Sequence, residues 1–304
     1  MDRRAFIRTA LAALPALLAP DLLAKSNPKT HPGKKARQII KGIPVLLFHK
    51  LGASPQKPYC MTPAELEKVL RAAADGGFFP VGLDEIARGD LARVPAGKKP
   101  FAITLDDGHP SQIDLDGGKP DPRCAFAIIR RCFEDPRATF FVCPGKKRLP
   151  FGAEGEKKMR MVLEAGMSLG DHTAFHERMD KLGAGKITSG MGIVMTLLDK
   201  VLGEKRAAAD IPFAYPYGVP PATAKLRDLV REFEYKGKTW RHSCAFLARL
   251  GFGEPMTKKT DLLFCPLPGT PALEERRYLL PRINISSLKD FKKDVLERDE
   301  IFIA

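Results

Sequence analysis

From about residue 43 onward the chain alternates short apolar runs with stretches in which apolar residues recur every three or four positions. The runs at 43–49, 100–105, 138–142 and 211–215 have strand length, and their nearly unbroken apolar character predicts strands covered on both faces. Between the first two, residues 62–77 place Leu66, Val69, Leu70 and Ala73 at helical spacing. Thr62-Pro63 opens that helix, Glu65 sits three past the cap, and Gly76-Gly77 ends it. A strand at 78–81 and a short helix at 83–88 follow, and 124–134, 154–165, 188–202 and 221–234 also read as helices. The loop at 109–122 is rich in Asp, Gly and Pro and reads as a solvated turn. In the tail, strands are expected near 244–248 and 279–285, a helix at 288–296, and a strand-like end at 301–303. Strands alternating with helices in this way predict an α/β fold, a mostly parallel sheet closed as a distorted (β/α) barrel of roughly seven to eight strands.

Chemistry-bearing residues gather at the expected strand ends, where barrels of this kind build their sites. The strand 100–105 breaks at Asp106-Asp107-Gly108. Consecutive strand residues face opposite ways, so the two acids are free to take different partners, although Asp-Gly is also an ordinary turn. His172 and His176 stand four apart, which puts both imidazoles on one side if the segment is a helical turn. Two imidazoles and one carboxylate leave a divalent ion with open positions, the pattern of a catalytic rather than a structural zinc site. The bland alternative is a pair of histidines flanking a surface turn. His49 and His109 also lie at or just beyond strand ends.

Composition changes the picture mainly at the N-terminus. Residues 2–8 carry paired arginines followed by Phe6-Ile7, and an Ala- and Leu-rich run follows. This predicts a twin-arginine export signal over residues 1–24, and the run is too short to be read as a membrane span. Residues 25–42 are basic and contain proline, as in a flexible tether, so that the catalytic domain would occupy 43–304. Nine Lys or Arg against two acids through residue 41 account for half of the +14 net charge. The rest favours association with an anionic envelope surface. No helix-turn-helix, zinc-finger or aromatic RNA-binding pattern is present, and with a single Trp the chain has little stacking capacity, so no nucleic-acid partner is expected. Six cysteines without Cys-x-x-Cys spacing argue against a zinc ribbon or a thioredoxin-type pair, and most read as small core residues. Nothing in the pattern sets an oligomeric state.

Four segments, taken in order, resemble the motifs of the NodB-homology polysaccharide deacetylases, the family-four carbohydrate esterases. They are Thr104-Leu105-Asp106-Asp107-Gly108, Ala138-Thr139-Phe140-Phe141-Val142, His172-Thr173-Ala174-Phe175-His176 and Phe213-Ala214-Tyr215-Pro216-Tyr217-Gly218. The first strand and the Tyr-Pro-Tyr-Gly turn are most similar to the branch that de-N-acetylates poly-N-acetylglucosamine. The resemblance covers about residues 43 to 285 and implies a NodB-type barrel acting on an N-acetylated polysaccharide. It further implies Asp106 as general base, Asp107, His172 and His176 as metal ligands, and the Tyr217 N–H as oxyanion donor. Zinc is the first choice of ion, with cobalt and nickel also open. The chain departs from the family in two places. Ala214 stands where most members have the arginine that orients the base, and Arg282 is the candidate replacement. The Leu-x-His that usually supplies the general acid is missing, which leaves His109, and less directly His242, as candidates. These departures keep two other readings open, a glycan-binding protein that has lost catalysis and a hydrolase of a small amide or ester.

Overall fold

A computed structural model describes residues 41–304 except 56–58, 146–148, 204–209, 249–263 and 299–300. The expected export signal and almost all of the tether lie outside the described residues. Among those described, no helix is long and apolar enough to cross a membrane.

The framework is a parallel sheet. Its strands are β1 (Val45–Phe48), β2 (Phe78–Pro80), β3 (Lys99–Leu105), β4 (Thr139–Val142), β5 (Ser168–Asp171), β6 (Phe213–Ala214), β7 (Ala245–Phe246) and β8 (Ile283–Asn284). Seven of them follow the order β7-β6-β5-β4-β3-β1-β8, and β2 pairs with the start of β3. Ile283 and Asn284 of β8 sit beside Leu46 and Leu47 of β1. Three residues earlier, Leu280 makes a parallel bridge to Phe246 at the far end of the order. The segment 280–284 therefore joins both edges of the sheet, closing the expected distorted (β/α) barrel of seven to eight mostly parallel strands at a thin seam.

Alternate residues along each strand feed two cores, as the two-residue period of a strand requires. Val45, Ala102, Phe141, Ala214 and Phe246 pack inside the barrel. Leu46, Ile103, Phe140, Leu169 and Phe213 face outward, toward helices α1 (Pro63–Asp75), α3 (Ala125–Cys132), α4 (Gly155–Glu164) and α5 (Ala184–Leu202). Helix α2 (Leu83–Arg88) lies between β2 and β3 in the chain. Thr62 caps α1 by accepting the Glu65 N–H, as its sequence signature predicts. All six cysteines are free, and Cys60, Cys124, Cys244 and Cys265 are buried. Burial raises the Cys244 thiol to about 12, so it remains protonated and inert.

The structure corrects one helix. Rather than running over 221–234, α6 (Ala224–Arg231) stops at Arg231 and gives way to an antiparallel hairpin, Glu232–Tyr235 against Lys238–Arg241. Glu-Phe-Glu-Tyr alternates with the period of a strand, and Lys236 and Gly237 both have left-handed φ, as a tight two-residue hairpin turn requires. The hairpin lays Tyr235 against Gly192 of α5, where an added Cβ would come within 2.1 Å of the Tyr235 ring. Helix propensity alone would make Gly192→Ala stabilising by about 1 kcal/mol. The clash falls on the stem of the ring, so overpacking should prevail at about 1–3 kcal/mol. Gly192→Ala is expected to lower the melting temperature by roughly 2–8 °C, read by circular dichroism; a rise would show that the hairpin is free to move.

Candidate metal and catalytic site

The site forms where β3, β5 and β6 end. Immediately after β3 the chain reverses through Asp107 and Gly108, both with left-handed φ. Only glycine suits the second position, because a Cβ there would also press on Pro150 at 3.1 Å. The reversal sends the two acids to separate partners. Asp106 is 2% exposed and takes a two-pronged grip from Arg282, whose two terminal nitrogens donate to Oδ1 and Oδ2 at 2.6 and 2.7 Å. Asp107 is half-exposed, with Oδ1 3.5 Å from His172 Nε2 and 3.3 Å from His176 Nε2.

Arg282 is fully buried in the barrel seam and well satisfied. Its Nε donates to the Leu247 carbonyl, one terminal nitrogen also donates to Thr104 Oγ1, and the guanidinium lies over the Phe141 ring. It reaches Asp106 from the residue just before β8, whereas Ala214 is on β6. The guanidinium beside the acid thus comes from a different segment than in most of the family that the sequence resembles.

The His-x-x-x-His segment is not a helical turn. It leaves β5 as an irregular loop in which Thr173 and His176 both take left-handed φ. The two imidazoles converge nonetheless, with ring centroids 4.9 Å apart. His172 is buried, and its Nδ1 donates to the Ala214 carbonyl at 2.8 Å, which turns Nε2 toward Asp107. A backbone acceptor that fixes the tautomer of a metal-binding histidine is the usual outer support of such a ligand. Asp107, His172 and His176 offer three ligand atoms within 4.8 Å of one another, one such group among the described residues. Their chemistry fits a divalent ion.

The electrostatics separate the two acids further. Burial would raise Asp106, but the Arg282 charge, with His172 next, holds it below its ordinary value. Burial likewise opposes ionisation of Asp107, and hydrogen bonds to His172 and His176 hold it well below the usual carboxylate range. Burial would lower His172, yet Asp106 and Asp107 together raise it.

The remaining predicted residues spread around this centre. Tyr217 lies in the turn Pro216–Gly218 with left-handed φ, and its exposed ring meets His176 edge-on at 4.6 Å. His109 caps the short turn Pro110–Gln112, where Nδ1 accepts the Ser111 N–H and meets the Ser111 hydroxyl. His242 is buried, with Nδ1 on the Val230 carbonyl and Nε2 on Asp171, so both ring nitrogens are engaged away from Asp106 and Asp107. His49, which the pattern marks only as a strand-end residue, belongs to the centre. Its Nδ1 is buried without a protein partner, and its charge couples to Asp106, Asp107, Arg282 and His172. Burial lowers its pKa, and the two acids oppose the shift. The signal available in sequence was its place at the end of β1, the strand beside β3.

The family model for polysaccharide deacetylases matches residues 93–237. Comparison with curated protein sequences gives no match. Among solved structures, the Streptococcus pyogenes deacetylase PplD, determined in complex with acetate, is 19% identical with a TM-score of 0.59, over 83% of this chain and 97% of that one. A putative polysaccharide deacetylase from Bacillus anthracis is 18% identical with a TM-score of 0.58, over 84% of this chain and 69% of its own. IcaB from Ammonifex degensii is 18% identical with a TM-score of 0.52, over 84% and 97%. At these identities the likeness establishes the fold, and the family match covers the segment from 93 to 237 that holds Asp106, Asp107, His172, His176 and Tyr217. Residues 93–237 therefore match the polysaccharide deacetylase family, and the fold over more than four fifths of the chain is that of solved deacetylases.

Proposed function

We propose that this protein is an exported, metal-dependent de-N-acetylase of an N-acetylglucosamine-type envelope or extracellular polysaccharide. The observation that carries this reading is the division of labour at one turn, with Asp107 facing two imidazoles and Asp106 gripped by Arg282. The paired arginines of the N-terminal segment support export by the twin-arginine route to the periplasm or cell envelope, with 25–42 as tether. The basic surplus supports contact with an anionic envelope surface.

Asp107, His172 and His176 would hold the ion, with zinc the first choice and cobalt or nickel also suited to this donor set. When bound there, it supplies Lewis acidity, which lowers the pKa of water and polarises the acetyl carbonyl. Asp106, ionised at neutral pH and fixed in orientation by Arg282, accepts the proton of the attacking water. The Tyr217 N–H, unused by the hydrogen bonds of its own turn, donates to the developing oxyanion, a contribution of about 3–4 kcal/mol for a well-placed donor. The departing nitrogen needs a proton. His49, buried among the charges of the centre, and His109, on the turn after Asp107 and Gly108, are the imidazoles available to give it. A cleft of about 550 Å3 lined by Phe175, Glu177, Gly185, Lys186 and Ser189 suits a sugar ring, and two of these residues flank His176 in the chain. The non-catalytic reading rested on the missing Leu-x-His acid and on Ala214 in place of the orienting arginine; the grip of Arg282 on Asp106 answers the second of these.

Acetate release from N-acetylglucosamine oligomers, chitin fragments and peptidoglycan tests the proposal. Asp106→Asn should reduce the rate about 10²–10⁴-fold, and chelation should abolish activity that added zinc restores. No acetate from any of these polymers, with wild type and Asp106→Asn alike, would sink the reading; glycan binding without turnover would revive the non-catalytic one. Because Asp106 and Asp107 make His172 hold its proton more tightly than an ordinary imidazole does, protons compete with the ion at higher pH than at an ordinary imidazole. Zinc affinity, measured by chelator competition, should therefore fall about tenfold per pH unit below that titration. An affinity flat from pH 8 to 6 would contradict the ligand assignment. Arg282→Met removes the charge that opposes burial at Asp106, so the acid limb of the pH–rate profile should move to higher pH.

A further inference from the structure

Immediately before His172 stands Asp171, the last residue of β5, and it is fully buried. Its two oxygens lead in opposite directions. Oδ2 lies 3.0 Å from His242 Nε2, and Oδ1 accepts the Thr173 N–H at 2.7 Å. His242 is anchored on its other side, 2.6 Å from the Val230 carbonyl. A carbonyl can only accept, so Nδ1 carries a proton and donates it. One further proton is then shared between Nε2 and the carboxylate, and the pair is neutral as a whole, which is how two ionisable groups coexist in a dry interior.

The chain of contacts continues past Thr173. Its hydroxyl oxygen accepts the His176 N–H at 3.2 Å, and the Ala174 N–H between them donates to the Gly190 carbonyl of α5. Thr173 and His176 are the two residues of this loop with left-handed φ, a conformation that non-glycine residues keep only when the surroundings impose it. Each is tied by a hydrogen bond that leads back to Asp171. His242 follows directly on the hairpin strand Lys238–Arg241, and its own N–H donates to the Arg231 carbonyl, so the anchor is fixed by α6 and the hairpin rather than by the loop.

We infer that the buried Asp171–His242 pair is a positioning device that sets the separation of the His172 and His176 imidazoles, and hence the affinity of the centre for its ion. The inference rests on the reading of Asp107, His172 and His176 as ligands. Neither Asp171 nor His242 touches the ion or the substrate in this role; both act through the loop.

The Asp171 carboxylate can be replaced without breaking the geometry. In Asp171→Asn the amide oxygen still accepts from Thr173, and the amide N–H donates to Nε2 of a neutral His242. Asp171→Ala cuts both links. Zinc affinity of the purified chain is measured by competition with a chromophoric chelator, alongside circular dichroism and the melting temperature of the metal-free protein. The expected result is an affinity loss of about ten- to a hundredfold in folded Asp171→Ala, the usual cost of removing an outer support of a ligand, and near wild-type affinity in Asp171→Asn. His242→Leu, which leaves Asp171 without its anchor, should also lose about tenfold and decides the matter if Asp171→Ala does not fold. Folded Asp171→Ala or His242→Leu with wild-type affinity overturns the inference, as does an Asn variant no better than the Ala variant. His172→Ala is the control on the underlying reading. If it binds zinc as wild type does, or wild type does not bind zinc, the ligand assignment itself falls; if it alone loses zinc, only the positioning role falls.

Discussion

The site depends on one buried contact, the two-pronged hydrogen bond between Arg282 and Asp106. A carboxylate in the dry interior of the barrel would take up a proton unless a cation stood beside it. A guanidinium there must in turn satisfy its own donors, and Leu247 and Thr104 take two of them. Removing charges from water is costly, so such a pair is weak evidence for stability. Its effect is to keep Asp106 ionised and fixed in orientation. The same contact joins the closing segment of the barrel to the strand that carries both acids.

Strain is concentrated in the same place. Of the seven described non-glycine residues with left-handed φ, four, namely Asp107, Thr173, His176 and Tyr217, lie at the centre. Each costs on the order of 1–3 kcal/mol and survives only where the surroundings over-determine it. Here they are the reversals that turn side chains back over the ends of β3, β5 and β6. The outer shell of helices and the two cores hold the strands rigid enough for these reversals to persist.

Much of this was legible in the sequence. The strand–helix alternation gave the barrel because buried parallel strands are short, apolar and regularly spaced. Asp106, Asp107, His172 and His176 stood out because they follow such runs. The spacing of His172 and His176 would put them on one side in a helical turn, but here an irregular loop meets it, with the Thr173 N–H donating to Asp171 rather than to a helical backbone partner. The hairpin after α6 was missed because Glu-Phe-Glu-Tyr was absorbed into the helix before it, although its alternation and the Lys-Gly turn were there to read. Arg282 was a candidate on position alone, since its partner is 176 residues away in the chain and no local pattern connects them. His49 was undervalued for the same reason, because its importance comes from the charges around it and not from its neighbours in sequence.

The thin seam has a consequence in time. Arg282 is carried by the segment between the Leu280 bridge and β8, among the last parts of the barrel to be synthesised. Until that segment docks, Asp106 has no guanidinium beside it to hold it ionised against burial. Closure of the barrel and the ionised, oriented state of Asp106 are therefore one event.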